Sequence, residues 1–178
     1  KTIGVSVSKR NVSGRAYNDG ISIRGLGGKR VNILIDGIRV AEAYTGYGRD
    51  VVDVDLLKRV EILKGPSSAL YGSDGLAGAI SYITKDASDL ADFGESYFSV
   101  NTSYDEDNEQ TKVGFIAARV GENIETLLQV TSRELSQLEL HDDATQELDP
   151  FDGEQTSILA KFQFNLSESV DATLTLDP

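Results

Sequence analysis

The 178-residue chain carries 29 acidic against 17 basic residues, a formal net charge of −12, and no cysteine. That balance excludes general nucleic-acid binding, which depends on neutralising phosphates. The absent thiols exclude disulfide scaffolds, thiolate metal sites and cysteine nucleophiles in this stretch. No apolar run reaches the roughly 18 residues of a transmembrane helix, but a membrane strand needs only about 9–11 alternating residues and escapes that test.

The first half is glycine-rich and mixed. "ISIRG" (21–25) and "RVNILIDG" (30–37) read as β-branched strands around the turn "LGGK". "DVVDVDLLKRVEILKG" (50–65) predicts a short helical or turn segment near 53–58 and then the strand "RVEILK" (59–64). "AISYITK" (79–85) is a further strand, and "ASDLADFG" (87–94) reads as a polar linker.

Beyond residue 90 a period of two takes over in five segments: 95–104, 111–120, 123–134, 157–166 and 170–177. The clearest is "SILAKFQFNL", where Ile158, Ala160, Phe162, Phe164 and Leu166 oppose Ser157, Lys161, Gln163 and Asn165. Short turns at one end, "GE" (121–122) and "SES" (167–169), contrast with "DEDNEQ" (105–110) and the acidic segment 135–156 at the other. Outer-membrane barrels have this asymmetry. A soluble antiparallel sheet with one buried face gives the same alternation, so both readings stand at this point.

"KGPSSALYGSDGLAGAI" (64–80) raises the question of a phosphate-binding loop. A P-loop needs G-x-x-x-x-G-K-[ST], and a dinucleotide fingerprint needs G-x-G-x-x-G between a strand and a helix. Gly65 has no glycine five residues on, "GSDGLAG" has the wrong spacing, and a strand follows where a helix belongs. Tight bends and close backbone packing are the better account.

"ISIRGLGGKRVNILIDGIRV" with "VDVDLLKRVEILKGPSSALYGSDGLAGAISYITK" closely resembles the plug domain of TonB-dependent outer-membrane receptors. The matching pieces, in order, are Arg24-Gly25, Asp36-Gly37, Arg59-x-Glu61, Gly65-Pro66, Tyr71-Gly72, Gly75 and Gly78-Ala79-Ile80, over roughly residues 15–86. The resemblance implies a mainly β protein: a mixed α/β plug domain (1–90, its N-terminal part missing) and the first five antiparallel strands (91–178) of a 22-stranded plugged transmembrane barrel. It implies an internal piece of a longer chain in the outer membrane of a Gram-negative bacterium. Its partners are the TonB energy-coupling protein, bound through a missing N-terminal box, and outer-membrane lipid. It also implies that Arg24, Asp36, Arg59, Glu61 and Tyr71 serve the plug motif and plug–barrel contacts, Glu61 facing wall arginines. For Arg59 and Glu61, a solvated strand face is the plainer alternative.

"LYGSDGLAGAISYITKDASDL" looks most like the haem and haemoprotein receptor branch, with Ala77 standing where that branch often has a second glycine. Such receptors can carry an axial histidine on an apical plug loop. The corresponding "AEAYTGYGRD" (41–50) has none. Tyr44 and Tyr47 are its iron-ligand types, and tyrosinate can bind ferric haem. Packing of Tyr47 as an aromatic contact is the alternative. Arg39 and Arg49 flank the loop and suit haem propionates or another anion. His141, the sole histidine, lies in the acidic segment, where Asp142, Asp143, Asp149 and Asp152 offer oxygen ligands without EF-hand spacing; a solvated loop is the plainer reading.

The expectation is therefore a receptor that imports haem, or iron from haemoproteins, and catalyses nothing. It has no resident cofactor or metal, with haem as the transported ligand. A ferric siderophore or cobalamin is the alternative cargo, and a soluble β-rich binding module the alternative class.

Overall fold

The computed structural model describes residues 2–7, 15–16, 21–40, 52–67, 75–106, 110–135, 153–167 and 170–176. The chain divides into two compact units, Lys1–Lys85 and Asp86–Pro178. Among the described residues helical structure is limited to 3-10 turns at Gly28–Arg30, Val54–Leu56 and Ala87–Asp89, so the segment expected near 53–58 is one tight turn leading straight into a strand. Among the described residues no helix is long and apolar enough to cross a membrane, which says nothing of crossing by strands.

The first unit contains β1 (Val5–Val7), β2 (Arg15–Ala16), β3 (Ile21–Ile23), β4 (Leu26–Gly27), β5 (Val31–Ile35), β6 (Ile38–Arg39), β7 (Val52–Asp53), β8 (Leu57–Lys64) and β9 (Gly78–Thr84). β5 and β9 pair in parallel at the centre of a sheet ordered β6-β5-β9-β8. Parallel strands need a long crossover, here the stretch carrying β6 to β8. Val31–Leu34 are all buried, as residues of a strand covered on both faces should be. One side of β5 and β9 joins β3 in a core of Ile21, Ile23, Val31, Ile33, Ala77, Ile80 and Tyr82. β8 is the sheet's edge and is largely exposed, charged at Lys58, Arg59, Glu61 and Lys64. Charge on an edge guards it against further pairing.

Two of the matching dipeptides are hairpin turns. Arg24-Gly25 joins β3 to β4 and Asp36-Gly37 joins β5 to β6, with φ of 51° and 81° in the first and 46° and 82° in the second. These are the positive φ values of two-residue type I′ hairpins, which glycine adopts freely and Asp tolerates through local hydrogen bonding.

The second unit is one antiparallel sheet in chain order: β10 (Ser96–Asp105), β11 (Gln110–Val120), β12 (Ile124–Leu135), β13 (Gly153–Ser167) and β14 (Val170–Leu176). All five expected strands are present. β13 starts four residues before the alternating run, because Gly153 pairs with Leu135 and Glu154 with Glu134. Its first residues are polar on both faces, so hydropathy gave no sign of them. Residues 87–94, expected as a linker, belong to this unit: Ala87 is buried, and its turn packs on β11 and β12.

Candidate functional site

The faces of the second sheet are inverted relative to a soluble protein. Register places Gln129, Thr131 and Arg133 of β12 beside Leu159, Ser157 and Gln155 of β13 on one face, and all six are buried. Lys161 shares that face and is buried too. The opposite face carries large apolar side chains in the open: Phe98 is 67% exposed, Leu128 41% and Ile158 37%. Phe98 and Phe115 meet there edge to face, centroids 5.1 Å apart. A soluble sheet hides its apolar face; a membrane barrel alternates apolar-out with polar-in. The orientation of Ile158 follows the second pattern.

Burying a lysine requires a partner, and Lys161 has one. Its Nζ donates to Asp86 Oδ1 at 2.9 Å, with the Lys161 side chain only 7% exposed. Removing one member of a buried pair typically costs about 3–5 kcal/mol; Asp86 is partly exposed, which places this pair toward the lower end.

Asp36 does more than turn the chain. Its carboxylate accepts from the Thr84 N–H at 2.8 Å and from the Thr84 hydroxyl at 2.5 Å, while its own N–H donates to the Tyr82 carbonyl at 2.9 Å. The next residue, Lys85, donates from Nζ to the Asp55 carbonyl (2.6 Å) and from its backbone to the Leu56 carbonyl (3.1 Å). Asp53 supports that turn by accepting from Asp55 N–H at 2.9 Å.

Arg59 and Glu61 face the same side of β8 and pair with each other, Nε to Oε1 at 2.7 Å, both more than half exposed. Such a pair contributes little by itself, typically below about 1 kcal/mol. Arg24 and Arg39 are exposed on their hairpins. The expected residues Tyr44, Tyr47, Arg49 and Tyr71, together with His141 and the acidic segment around it, lie outside the described residues. Among the described residues no cluster of His, Cys, Asp or Glu is arranged to hold a metal ion.

Two glycines of the stretch, Gly75 and Gly78, are packed tightly against protein. A Cβ on Gly78 would lie 2.1 Å from the Leu63 carbonyl oxygen, and one on Gly75 would lie 2.1 Å from Ser67 Oγ and 2.5 Å from Asn32 Nδ2. Ser67 closes the loop base, donating from its backbone to the Gly75 carbonyl at 2.8 Å. Asn32 is buried there with neither amide atom partnered. Sequence reading missed the contacts of Thr84, Lys85, Asp86 and Lys161. Its one signal was a lysine on the polar face of an otherwise regular strand.

Comparison with known proteins agrees with this geometry. Residues 1–79 match the family model described as TonB-dependent Receptor Plug Domain. Hemoglobin-binding protein A of Haemophilus influenzae is 32% identical over 189 residues, spanning 93% of this chain and 19% of that protein. Vitamin B12 transporter BtuB of Vibrio vulnificus is 41% identical over 81 residues, 46% of this chain and 13% of the relative. Among solved structures, a double mutant of the Serratia marcescens hemophore receptor HasR, in complex with its hemophore HasA and heme, superposes with a TM-score of 0.79 at 25% identity. That superposition covers 98% of this chain and 27% of HasR. The chain thus spans about a fifth of the first relative's length. Plug match, register and inverted faces converge: the chain belongs to the TonB-dependent receptors of the Gram-negative outer membrane and comprises plug-domain sequence followed by the opening strands of their transmembrane barrel.

Proposed function

We propose that this chain is part of an energy-coupled receptor that captures haem or a haem-bearing protein at the outer face and releases it inward when TonB drives the plug to rearrange. The observation carrying the cargo is the extent of likeness. The match to a haemoglobin-binding protein runs through both units, over 93% of the chain, whereas the match to a vitamin B12 transporter covers 46%. Capture and release need no bond making, in keeping with a family of transport receptors rather than enzymes.

In this reading Tyr47, with Tyr44 beside it, meets the haem iron or stacks on the macrocycle. Arg39 and Arg49 pair with the propionates. Arg24, Asp36 and Tyr71 maintain the plug, and Arg59 and Glu61 exchange their mutual pair for charged groups on the barrel wall. A polar, hydrogen-bonded filling suits a plug that must yield on demand better than an apolar core does.

The test is a titration of the whole receptor with ferric haem and with haemoglobin, followed at the Soret band, with cyanocobalamin and a ferric siderophore run alongside. Saturable binding of haem or haemoglobin is expected, with a spectrum altered in Tyr47→Phe. Saturation by cobalamin or the siderophore alone overturns the cargo. An unchanged spectrum in the variant removes Tyr47 as a ligand.

A further inference from the structure

The register of the second sheet sets one basic side chain on its apolar face, at the end with the short turns. Arg119 of β11 pairs with Ser96 of β10 on one side and with Thr126 of β12 on the other. It shares that face with Ala117 and Phe115 of its own strand, and with their cross-strand neighbours Phe98 and Leu128. Among the described residues of the face it is the one cation. The carboxylates there, Glu134 and Glu154, are cross-strand neighbours at the opposite end of the sheet. Arg119 is exposed, and its guanidinium donates to Ser96 Oγ at 3.3 Å, the one side-chain contact it makes among the described residues. β11 has a paired strand on each side, so these surroundings are those of the wall and not of a sheet edge. The hairpin closes at Gly121, whose N–H donates to the Ile124 carbonyl at 3.0 Å. Arg119 stands two residues before it, about 7 Å along the strand. Short turns mark the periplasmic end of an outer-membrane barrel. This depth is that of the lipid headgroups, where a cation on the lipid face is tolerated, and not of the hydrocarbon middle, where it is costly.

We propose that Arg119, with the hydroxyls of Ser96 and Thr126, is a headgroup site for an anionic glycerophospholipid of the periplasmic leaflet. A guanidinium carries five N–H donors in a planar fork. Ser96 takes one, and the fork keeps donors for two oxygens of a phosphodiester. Because Ser96 accepts from Arg119, its own hydroxyl proton is left for a phosphate oxygen, and Thr126 brings a second hydroxyl from the next strand. Directly inward on β11, Ala117 is small, while Phe98 and Leu128 stand 67% and 41% exposed beside it. The glycerol and first methylenes of the lipid have a shallow seat over Ala117, between the two larger side chains. The face is the lipid-facing one, so a lipid is already in place, whereas a soluble phosphate would have to displace it. A zwitterionic lipid brings a cationic group that Arg119 repels, so net negative charge is favoured. The site rests on the barrel assignment and not on the cargo.

The test uses the whole receptor in vesicles of phosphatidylcholine holding a minor share of phosphatidylglycerol. The photocrosslinking residue p-benzoylphenylalanine replaces Ala117, and the attached lipids are identified by mass spectrometry. With Arg119 intact, phosphatidylglycerol is expected to be captured about fivefold above its share of the vesicle, since one basic residue gains roughly 1 kcal/mol at an anionic surface. Arg119→Gln is expected to bring capture down to that share. Arg119→Lys, which keeps the charge and loses the fork, is expected to fall between. The same crosslinker at Val130, deeper on the face, is expected to capture by share alone. Enrichment that survives in Arg119→Gln, or that is equal at Val130, overturns the site, as does capture by share with Arg119 intact. Loss of the enrichment to millimolar inorganic phosphate overturns a lipid as the occupant. Should the probe at Ala117 hinder assembly, one at Leu128 is read on the same terms. Absence of any lipid adduct at 117, 128 and 130 takes down the barrel assignment together with the site, whereas a receptor that binds no haem leaves the crosslinking result standing.

Discussion

Asp36 and Thr84, 48 residues apart in the chain, meet through a two-point hydrogen bond that joins the β5–β6 turn to the end of β9. The contact lets one aspartate do two jobs, since its backbone takes the positive φ of the turn while its carboxylate faces the neighbouring strand. Bonds to a charged acceptor are worth about 1.5–3 kcal/mol each, more than a neutral pair. Asp36→Ala loses both and keeps an unfavourable φ, so destabilisation of about 2–4 kcal/mol is expected. Asp36→Asn keeps an acceptor and a residue suited to the turn, and a loss below about 1 kcal/mol is expected. Hydrogen exchange at the Thr84 amide checks this: each 1.4 kcal/mol corresponds to roughly tenfold. Equal exchange in Asp36→Ala and wild type would remove the contact from the account.

Tyr82 gives the plug an alkaline limit. Its phenol is buried in the core around Ile33 and Ile80, and burial raises its pKa from 10.0 to about 12. A raised folded-state value means that the unfolded chain ionises first. The stabilisation is complete below pH 10 and is lost as the pH rises through about 12. Two units correspond to about 3 kcal/mol at most. Between pH 10 and 12 the Tyr82→Phe receptor is expected to lose less plug structure than wild type, read by near-ultraviolet circular dichroism; parallel losses in the two proteins count against burial as the cause.

The sheet strands were legible because they alternate, and alternation is a local property. β14 reads directly from Leu174 and Leu176 against Thr173 and Thr175. The sense of that alternation was not legible: a row of Ile158, Phe162 and Phe164 fits a soluble core as well as lipid, and only the burial of Lys161 and Arg133 on the other face decides it. Long-range contacts left little trace. Lys161 and Asp86 are 75 residues apart, and nothing in "SILAKFQF" names its partner. Two-residue strands such as β6 and β7 are too short for any period to show.

The glycines of the 64–80 stretch make a sharper prediction than a motif can. Gly78 has φ of +150°, and a Cβ there meets the Leu63 carbonyl oxygen at 2.1 Å and Ile23 Cδ1 at 2.9 Å. The backbone of β8 cannot retreat without disturbing the β8–β9 pairing, nor Ile23 without disturbing the core around it. Gly78→Ala is expected to cost more than about 2 kcal/mol, combining backbone strain with overpacking. Gly37, also at positive φ but with open space around it, isolates the strain term, and Gly37→Ala is expected to cost about 1 kcal/mol. Proteolytic susceptibility of the plug in the intact receptor orders the two; an equal or reversed order counts against the steric argument.

The inverted faces of the wall sheet predict a pattern that no soluble module shares. In β14, Leu174 and Leu176 lie on the same face as Phe162 and Ala160 of β13, while Thr173 and Thr175 lie with Gln163 and Lys161. Single cysteines at 173–176 in the whole receptor, carrying nitroxides and reconstituted in bilayers, are expected to alternate. Positions 174 and 176 should be relaxed by oxygen dissolved in lipid, and positions 173 and 175 should be shielded from it. Ile158→Arg, on the outer face, is expected to destabilise the assembled barrel by about 2–4 kcal/mol near mid-membrane depth and less toward an interface. A flat oxygen profile with an unaffected Ile158→Arg protein would mean that this face meets protein or water, and the barrel assignment would fall with it. A soluble sheet could not produce the alternation, because lipid would reach neither of its faces.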